Sequence, residues 1–229
     1  MKSKTQFPVY LFRLLPVLLC VLAASCGDDD DYHYPSVKLE FLTAQADGNG
    51  RIISVLTDQG ETLAVVENAS DTRLEANASA RIIANYGPAT TANGASGVKL
   101  YASLNTISPV PKPESEFKDG VKRDPADVTS IWMGLDYLNI ILDIKAQNGK
   151  HSFHFVEEES GTDAVTGHRF VHLMLYHSTD DTQAYSRRAY LSVPLRQYVE
   201  AGMEKLDVRF SLMTYSGKEK SYEFEYNPQ

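Results

Sequence analysis

Val208-Arg209-Phe210-Ser211-Leu212 and Tyr222-Glu223-Phe224-Glu225-Tyr226 alternate apolar and polar side chains without a break. A period of two puts one set of side chains on a buried face and the other in water, as in a half-buried antiparallel strand. Phe153-His154-Phe155 repeats the pattern, and further β-rich runs lie at 130–132, 137–144, 170–176 and 184–193. Seven short strands at this spacing predict an immunoglobulin-like antiparallel β-sandwich over 128–229. No run of ten or more residues keeps a period of 3.6. Residues 195–203 are the only weak helical segment.

The same reading extends toward the N-terminus. Val37-Lys38-Leu39-Glu40-Phe41-Leu42 alternates, and β-rich runs follow at 52–56, 62–66, 81–86 and 98–104. Asp47-Gly48-Asn49-Gly50 and Asp58-Gln59-Gly60 supply turns between the first three. The one long connection, 68–79, holds either a short helix or a loop and falls after the third strand. That order predicts a small five-stranded OB-like barrel over 37–105, with a five-stranded half of a sandwich as the alternative. Pro109, Pro111, Pro113 and Pro125 then mark 106–127 as an extended, proline-rich connector. The expected fold is all-β, a barrel followed by a sandwich.

The N-terminus carries an address. Lys2, Lys4 and Arg13 precede an apolar run at 14–24 that is interrupted only by Pro16. Eleven residues fall short of the roughly 20 a membrane-crossing helix needs but suit the core of a signal peptide. Leu22-Ala23-Ala24-Ser25-Cys26 resembles the processing site of a bacterial lipoprotein, which implies that 1–25 is removed and Cys26 is acylated. Two or three acyl chains anchor a protein stably, whereas one does not. Residues 26–36 would then be a lipidated acidic tether. Asp28, Asp29, Asp30 and Asp31 resemble the surface-export signal of Bacteroides-type lipoproteins, and like-charge repulsion also extends the segment. The expectation is an outer-membrane lipoprotein facing outward, with a periplasm-facing one as the alternative.

Without the leader, 19 basic residues face 30 acidic ones, so a net charge of −8 becomes −11. An acidic body is repelled by phosphate backbones, which argues against nucleic acid as a partner. The barrel half agrees, since its only aromatics are Phe41, Tyr86 and Tyr101, against the stacking platforms of nucleic-acid-binding barrels. Cys20 leaves with the leader and Cys26 is consumed by lipid, which excludes disulfides and thiolate metal sites from the body.

The lipoprotein leader, the small first domain, Trp132 followed by Asp136-Tyr137-Leu138-Asn139-Ile140, and His151-Ser152-Phe153-His154-Phe155 together resemble the NigD-like lipoproteins of the Bacteroides group. The resemblance implies an N-terminal OB domain and a C-terminal β-sandwich along essentially the whole chain. It brings no catalytic residues. The immunity role attached to the family name is implied only through one member of a bacteriocin cluster.

The residues give little chemistry of their own. His151 and His154 lie three apart on a strand and face opposite sides. His168 and His172 would share a face about 13 Å apart, far beyond zinc's bond length of about 2 Å. A cross-strand meeting of His154 with His172 or His177 is the remaining route to a metal, and no metal or cofactor is expected. Glu157-Glu158-Glu159 and Asp180-Asp181 read as solvated hairpin loops rather than paired catalytic carboxylates. Neither a nucleophile elbow nor a phosphate loop is present. After Asn105 the chain holds Trp132, six phenylalanines and eight tyrosines. Within that set Trp132, Tyr185, Tyr190 and Tyr198 with Arg187 and Arg188 form the candidate binding patch. The expectation is a non-catalytic lipoprotein that binds a protein partner, in bacteriocin-type immunity or envelope assembly. The alternatives are a glycan-binding accessory for nutrient uptake and, last, an envelope hydrolase.

Overall fold

The computed structural model describes residues 37–181 and 185–228. Cys26 and the four aspartates lie outside the described residues. Strands β1 (Lys38–Ala46), β2 (Ile52–Thr57), β3 (Thr62–Asn68), β4 (Ser79–Thr90) and β5 (Ser96–Asn105) close into a barrel in the order β1-β2-β3-β5-β4. β4 returns to β1 and β3 pairs with β5 in parallel, the closure of an OB barrel. The long connection at 69–78 is a loop. Inward-pointing Leu42, Ala44, Val55, Ile82, Ala84, Val98 and Leu100 fill the interior. Full burial of a large aliphatic side chain contributes about 1.5–3 kcal/mol over exposure.

Beyond the barrel, β6 (Lys112–Pro113), β7 (Asp127–Met133), β8 (Tyr137–Ala146), β9 (His151–Thr162), β10 (Arg169–Thr179), β11 (Tyr185–Pro194), β12 (Leu206–Met213) and β13 (Glu219–Tyr226) form two sheets. One has the order β13-β12-β10-β9-β6 and the other β11-β8-β7. Their facing sides, including Leu138, Ile140, Leu142, Phe155, Leu173, Leu191, Val208 and Phe210, make the larger core. The weak helical segment reduces to a 3-10 turn at Arg196–Tyr198.

Two pairings depart from an all-antiparallel sandwich. β10 and β12 run parallel because the chain crosses to the other sheet as β11 before returning, so it reverses direction twice. β6 is also parallel, along β9. Residues 106–127, expected to connect, run along the sandwich. Ile107 bridges to β11, Arg123 bridges to His177, and Ala126 is fully buried in the sandwich core. Prolines are tolerated there because β6 is an edge, where a missing N–H breaks no ladder.

The three-stranded sheet has work on both faces. While Leu138, Ile140 and Leu142 point into the sandwich, Asn139 and Ser192 point the other way, toward the barrel, and both are fully buried. Arg81 of β4 reaches them. Its Nε donates to Ser192 Oγ (3.0 Å), and its Nη2 donates to Asn139 Oδ1 (3.0 Å) and Asp58 Oδ1 (2.6 Å). Asn139 Nδ2 donates to the second Asp58 oxygen at 2.7 Å, and Ser192 Oγ donates to Asn139 Oδ1 at 2.7 Å. The guanidinium also lies 4.4 Å over the Tyr137 ring. Gly134 makes room for this, since a Cβ there would sit 2.5 Å from Asp58 Oδ2 and 2.7 Å from Asn139 Nδ2.

Arg81 and Asp58 side chains are 2% and 10% exposed, so removing one partner strands a desolvated charge. Arg81→Met should cost about 3–5 kcal/mol in urea unfolding. It should also split a shared transition into separate barrel and sandwich steps. Gly134→Ala should destabilise in the same assay, because the introduced methyl collides with Asp58 and Asn139 rather than with a side chain free to move aside.

Candidate functional site

The Arg81 network gathers its parts from four strands and loops, yet it is sealed from solvent and its polar atoms answer one another. It is a joint rather than a reaction centre. The Tyr137-Leu138-Asn139 segment singled out by sequence owes its character to this joint. Tyr137 lies under the guanidinium, Leu138 fills the sandwich core, and Asn139 bridges to the barrel. Arg81 itself was missed. The signal was one arginine inside the apolar run Ala80-Arg81-Ile82-Ile83-Ala84.

The structure does not bring the candidate patch together as one surface. Trp132 and Tyr190 both pack edge-on against Phe41, with ring centroids at 5.5 and 6.3 Å. Tyr198 is buried in the turn that closes the sandwich, where its hydroxyl donates to Glu157 Oε2 at 2.8 Å. Burial, then the Glu157 charge, pushes the Tyr198 hydroxyl well above the ordinary tyrosine range. Tyr185, Arg187 and Arg188 stay exposed at the start of β11. Position along the strand is the reason, since residues 185–188 are exposed on both faces of β11 and burial begins only at Ala189.

A different surface emerges at the seam. On the outer barrel wall Leu104 of β5 lies opposite Ile83 of β4, and Ile83 lies opposite Phe41 of β1. Leu39 is the next outward residue on β1. Ile83 and Phe41 are buried at 4% and 2%, whereas Leu39, Leu104 and Trp132 around them are 53%, 62% and 36% exposed. The result is a row whose centre, Ile83 and Phe41, is buried, with Leu39, Leu104 and Trp132 left exposed around it. Sequence reasoning missed it because Leu104 reaches the outer wall through a bulge opposite Asn85 and Tyr86, which flips the inward-outward phase of β5.

One of the two acidic runs corrects the loop expectation. Glu157, Glu158 and Glu159 sit within β9, not in a turn, and a bulge there places Glu157 opposite Leu173 and Glu159 opposite His172. Glu158 meets Arg123 at 3.4 Å and Glu159 meets His172 at 3.4 Å. Asp180 and Asp181 lie between β10 and β11, as expected, and there they form a clasp. Asp181 accepts the N–H groups of Gln147 and Asn148 at 2.6 and 3.1 Å, and Asp180 accepts that of Lys150 at 3.0 Å. Burial works against the Asp181 charge, but these N–H groups and His151 outweigh it and hold the carboxyl far below the usual carboxylate range.

The histidines pair in a combination the spacing did not suggest. His154 faces outward into a cleft of about 240 Å³ with Phe117 and Tyr176, whose rings stack at 5.1 Å. His151 and His177 meet on the inner face instead, Nδ1 to Nε2, at 2.9 Å. His177 Nδ1 lies 3.0 Å from the Asp124 carbonyl, which can only accept. The proton on His177 is therefore on Nδ1, Nε2 is the acceptor, and His151 donates to it. Among the described residues no three metal-ligating side chains converge.

Burial pushes the pKa of His177 below the ordinary histidine value of 6.5, with the nearby His151 adding to the shift and the Asp124 carbonyl opposing it. The unfolded ring therefore takes up its proton first as pH falls. The contribution of His177 to stability is complete above the unfolded value of about 6.5 and is lost as pH drops through the folded one. The melting temperature should fall between pH 7.5 and 5, and His177→Gln should flatten that fall while lowering stability at pH 7.5.

Residues 108–226 match the family model of the NigD-like C-terminal beta sandwich domain. The crystal structure of a NigD-like immunity protein from Bacteroides caccae is similar at 35% identity, over 86% of this chain and 100% of that one, with a TM-score of 0.72. A protein of unknown function from Bacteroides vulgatus shares the fold at 21% identity, over 83% of this chain and 91% of its own, with a TM-score of 0.63. So does one described as a candidate lipoprotein from Bacteroides fragilis, at 15% identity, over 84% and 99%, with a TM-score of 0.56. No curated protein matches the chain. With the sandwich matched as a domain and a relative aligned along barrel and sandwich together, the chain belongs to the NigD-like family.

Proposed function

We propose that this protein is a lipid-anchored, non-catalytic body that binds a protein partner through the apolar row at the barrel–sandwich seam, in an immunity-like role. The row of Leu39, Leu104 and Trp132 around buried Ile83 and Phe41 is the observation that carries the reading. Large apolar side chains left in water around a buried apolar centre favour a partner that covers them. A sugar platform asks for a ring lying open on one face, whereas Trp132 packs edge-on against Phe41. The relative from Bacteroides caccae, described as an immunity protein, supports the role. The carboxylates raised by sequence are engaged in holding strands and turns, which supports a binding body over a hydrolase. The anchor and outward display rest on Cys26 and on Asp28, Asp29, Asp30 and Asp31.

Leu39→Asp combined with Leu104→Asp should leave the melting temperature near that of the unsubstituted protein, since both side chains are already in water. It should weaken crosslinking to the partner on intact cells at least tenfold; undiminished crosslinking refutes the seam as the binding surface. Cys26→Ala should move the body from the membrane to the soluble fraction. Replacing the four aspartates by alanine should reduce its digestion by protease added to whole cells.

A further inference from the structure

Two arginines at the far end of the barrel are held in a way that their own neighbours do not explain. Arg51 ends the β1–β2 turn and Arg73 lies in the loop between β3 and β4, and the two form an isolated antiparallel bridge. The loops are tied together around them. Leu74 N–H donates to the Gly50 carbonyl at 3.0 Å, and Asn77 N–H donates to the Asp47 carbonyl at 2.9 Å. Gly50 has a φ of 75°, and a Cβ on it would lie 2.3 Å from the Leu74 carbonyl oxygen, so the approach is built on glycine. Such a bridge sets the two side chains side by side on one face, where like charges oppose each other.

The opposition is relieved only in part from within. Both arginines are exposed, and among the described residues neither guanidinium has a hydrogen-bond or ion-pair partner. Asp47 lies within electrostatic reach of both and offsets some of the repulsion, while its Oδ1 accepts the N–H groups of Asn49 and Arg51, each at 2.9 Å, rather than a guanidinium. The two arginines flank a groove of about 290 Å³ that Glu67, Asn68, Asp71 and Thr72 also line. The Glu67 carboxylate is already taken by Lys99 at 2.6 Å. Asp71 is the one acidic side chain there without such a partner, and it sets a limit on how many negative charges a ligand can bring.

We propose that Arg51 and Arg73 form a binding site for a single oxyanion group, a phosphate, sulfate or carboxylate borne by a ligand outside this chain. Two guanidinium forks on one face can each present paired N–H donors to such a group. The charge of the incoming group removes the repulsion that the bridge imposes. The site is independent of the seam surface, because Arg51 follows the end of β1 opposite Leu39, and nine residues of strand at about 3.3 Å each separate those ends.

The test uses the chain with Cys26→Ser, so that it stays in solution, and sodium phosphate, sodium sulfate and sodium acetate as probes against sodium chloride at equal ionic strength. Phosphate or sulfate should raise the melting temperature in a saturable way, and backbone amide shifts should move around residues 50–51 and 72–74. Arg51→Gln with Arg73→Gln should weaken that binding at least tenfold and leave the melting temperature without added anion equal or higher, because like charges have been removed. A phosphoserine peptide, a sulfated disaccharide and a glutamate-rich peptide then separate the three sources of the anion. An equal response to chloride, or an unchanged response in the double variant, overturns the proposal. A lower melting temperature in that variant without added anion also overturns it, since the arginines would then be holding the loops themselves.

Discussion

A charged guanidinium buried between two β-domains must be answered completely or not be there at all, and Arg81 is answered from both sides. Asp58 supplies the counter-charge from the barrel's own β2–β3 turn, so the ion pair is made within the barrel. Asn139 and Ser192 then meet the pair from the sandwich, which ties the second domain to a network that the first already satisfies. An apolar contact would hold the domains together over a range of angles. A planar donor fork bonded to four acceptors, Thr43, Asp58, Asn139 and Ser192, admits very few, which gives the joint its specificity.

The joint governs the surfaces as well. Because Asn139 and Ser192 point away from the sandwich core, the three-stranded sheet lies between two layers, and its outer face is used up where the barrel docks. The edge of that contact leaves Trp132 beside Phe41, so the apolar row exists only because the barrel sits where Arg81 holds it. The edges of the sheets are treated with similar economy. Ile107 bridges to β11, and the prolines of the following segment run along β9, where exposed strand edges would otherwise invite pairing with another chain.

Much of the architecture was legible because it depends on local rules. The runs at 52–56, 62–66 and 81–86 fall inside β2, β3 and β4, and the long connection after the third strand pointed to an OB barrel before any pairing was visible. The errors share one cause. Glu157-Glu158-Glu159 reads as a loop by composition, but the His172 ring on β10, the Tyr198 hydroxyl in the closing turn and the Arg123 guanidinium each meet one carboxylate, and the strand continues through them. The candidate patch is divided by tertiary packing too, since Tyr190 and Tyr198 are close in sequence but point to the joint and to the core.

Sequence by itself determined the all-β class, the order of barrel then sandwich and the family resemblance, and raised the expectation of a leader over residues 1–25, because periodicity, turn residues and targeting signals act over a few residues at a time. Only the tertiary structure decided which polar residues are buried in pairs, that His151 meets His177 rather than His154, and that Leu39, Leu104 and Trp132 stand exposed around buried Phe41 and Ile83. Those outcomes depend on strand register, and a single bulge such as the one in β5 reverses which face every later side chain occupies.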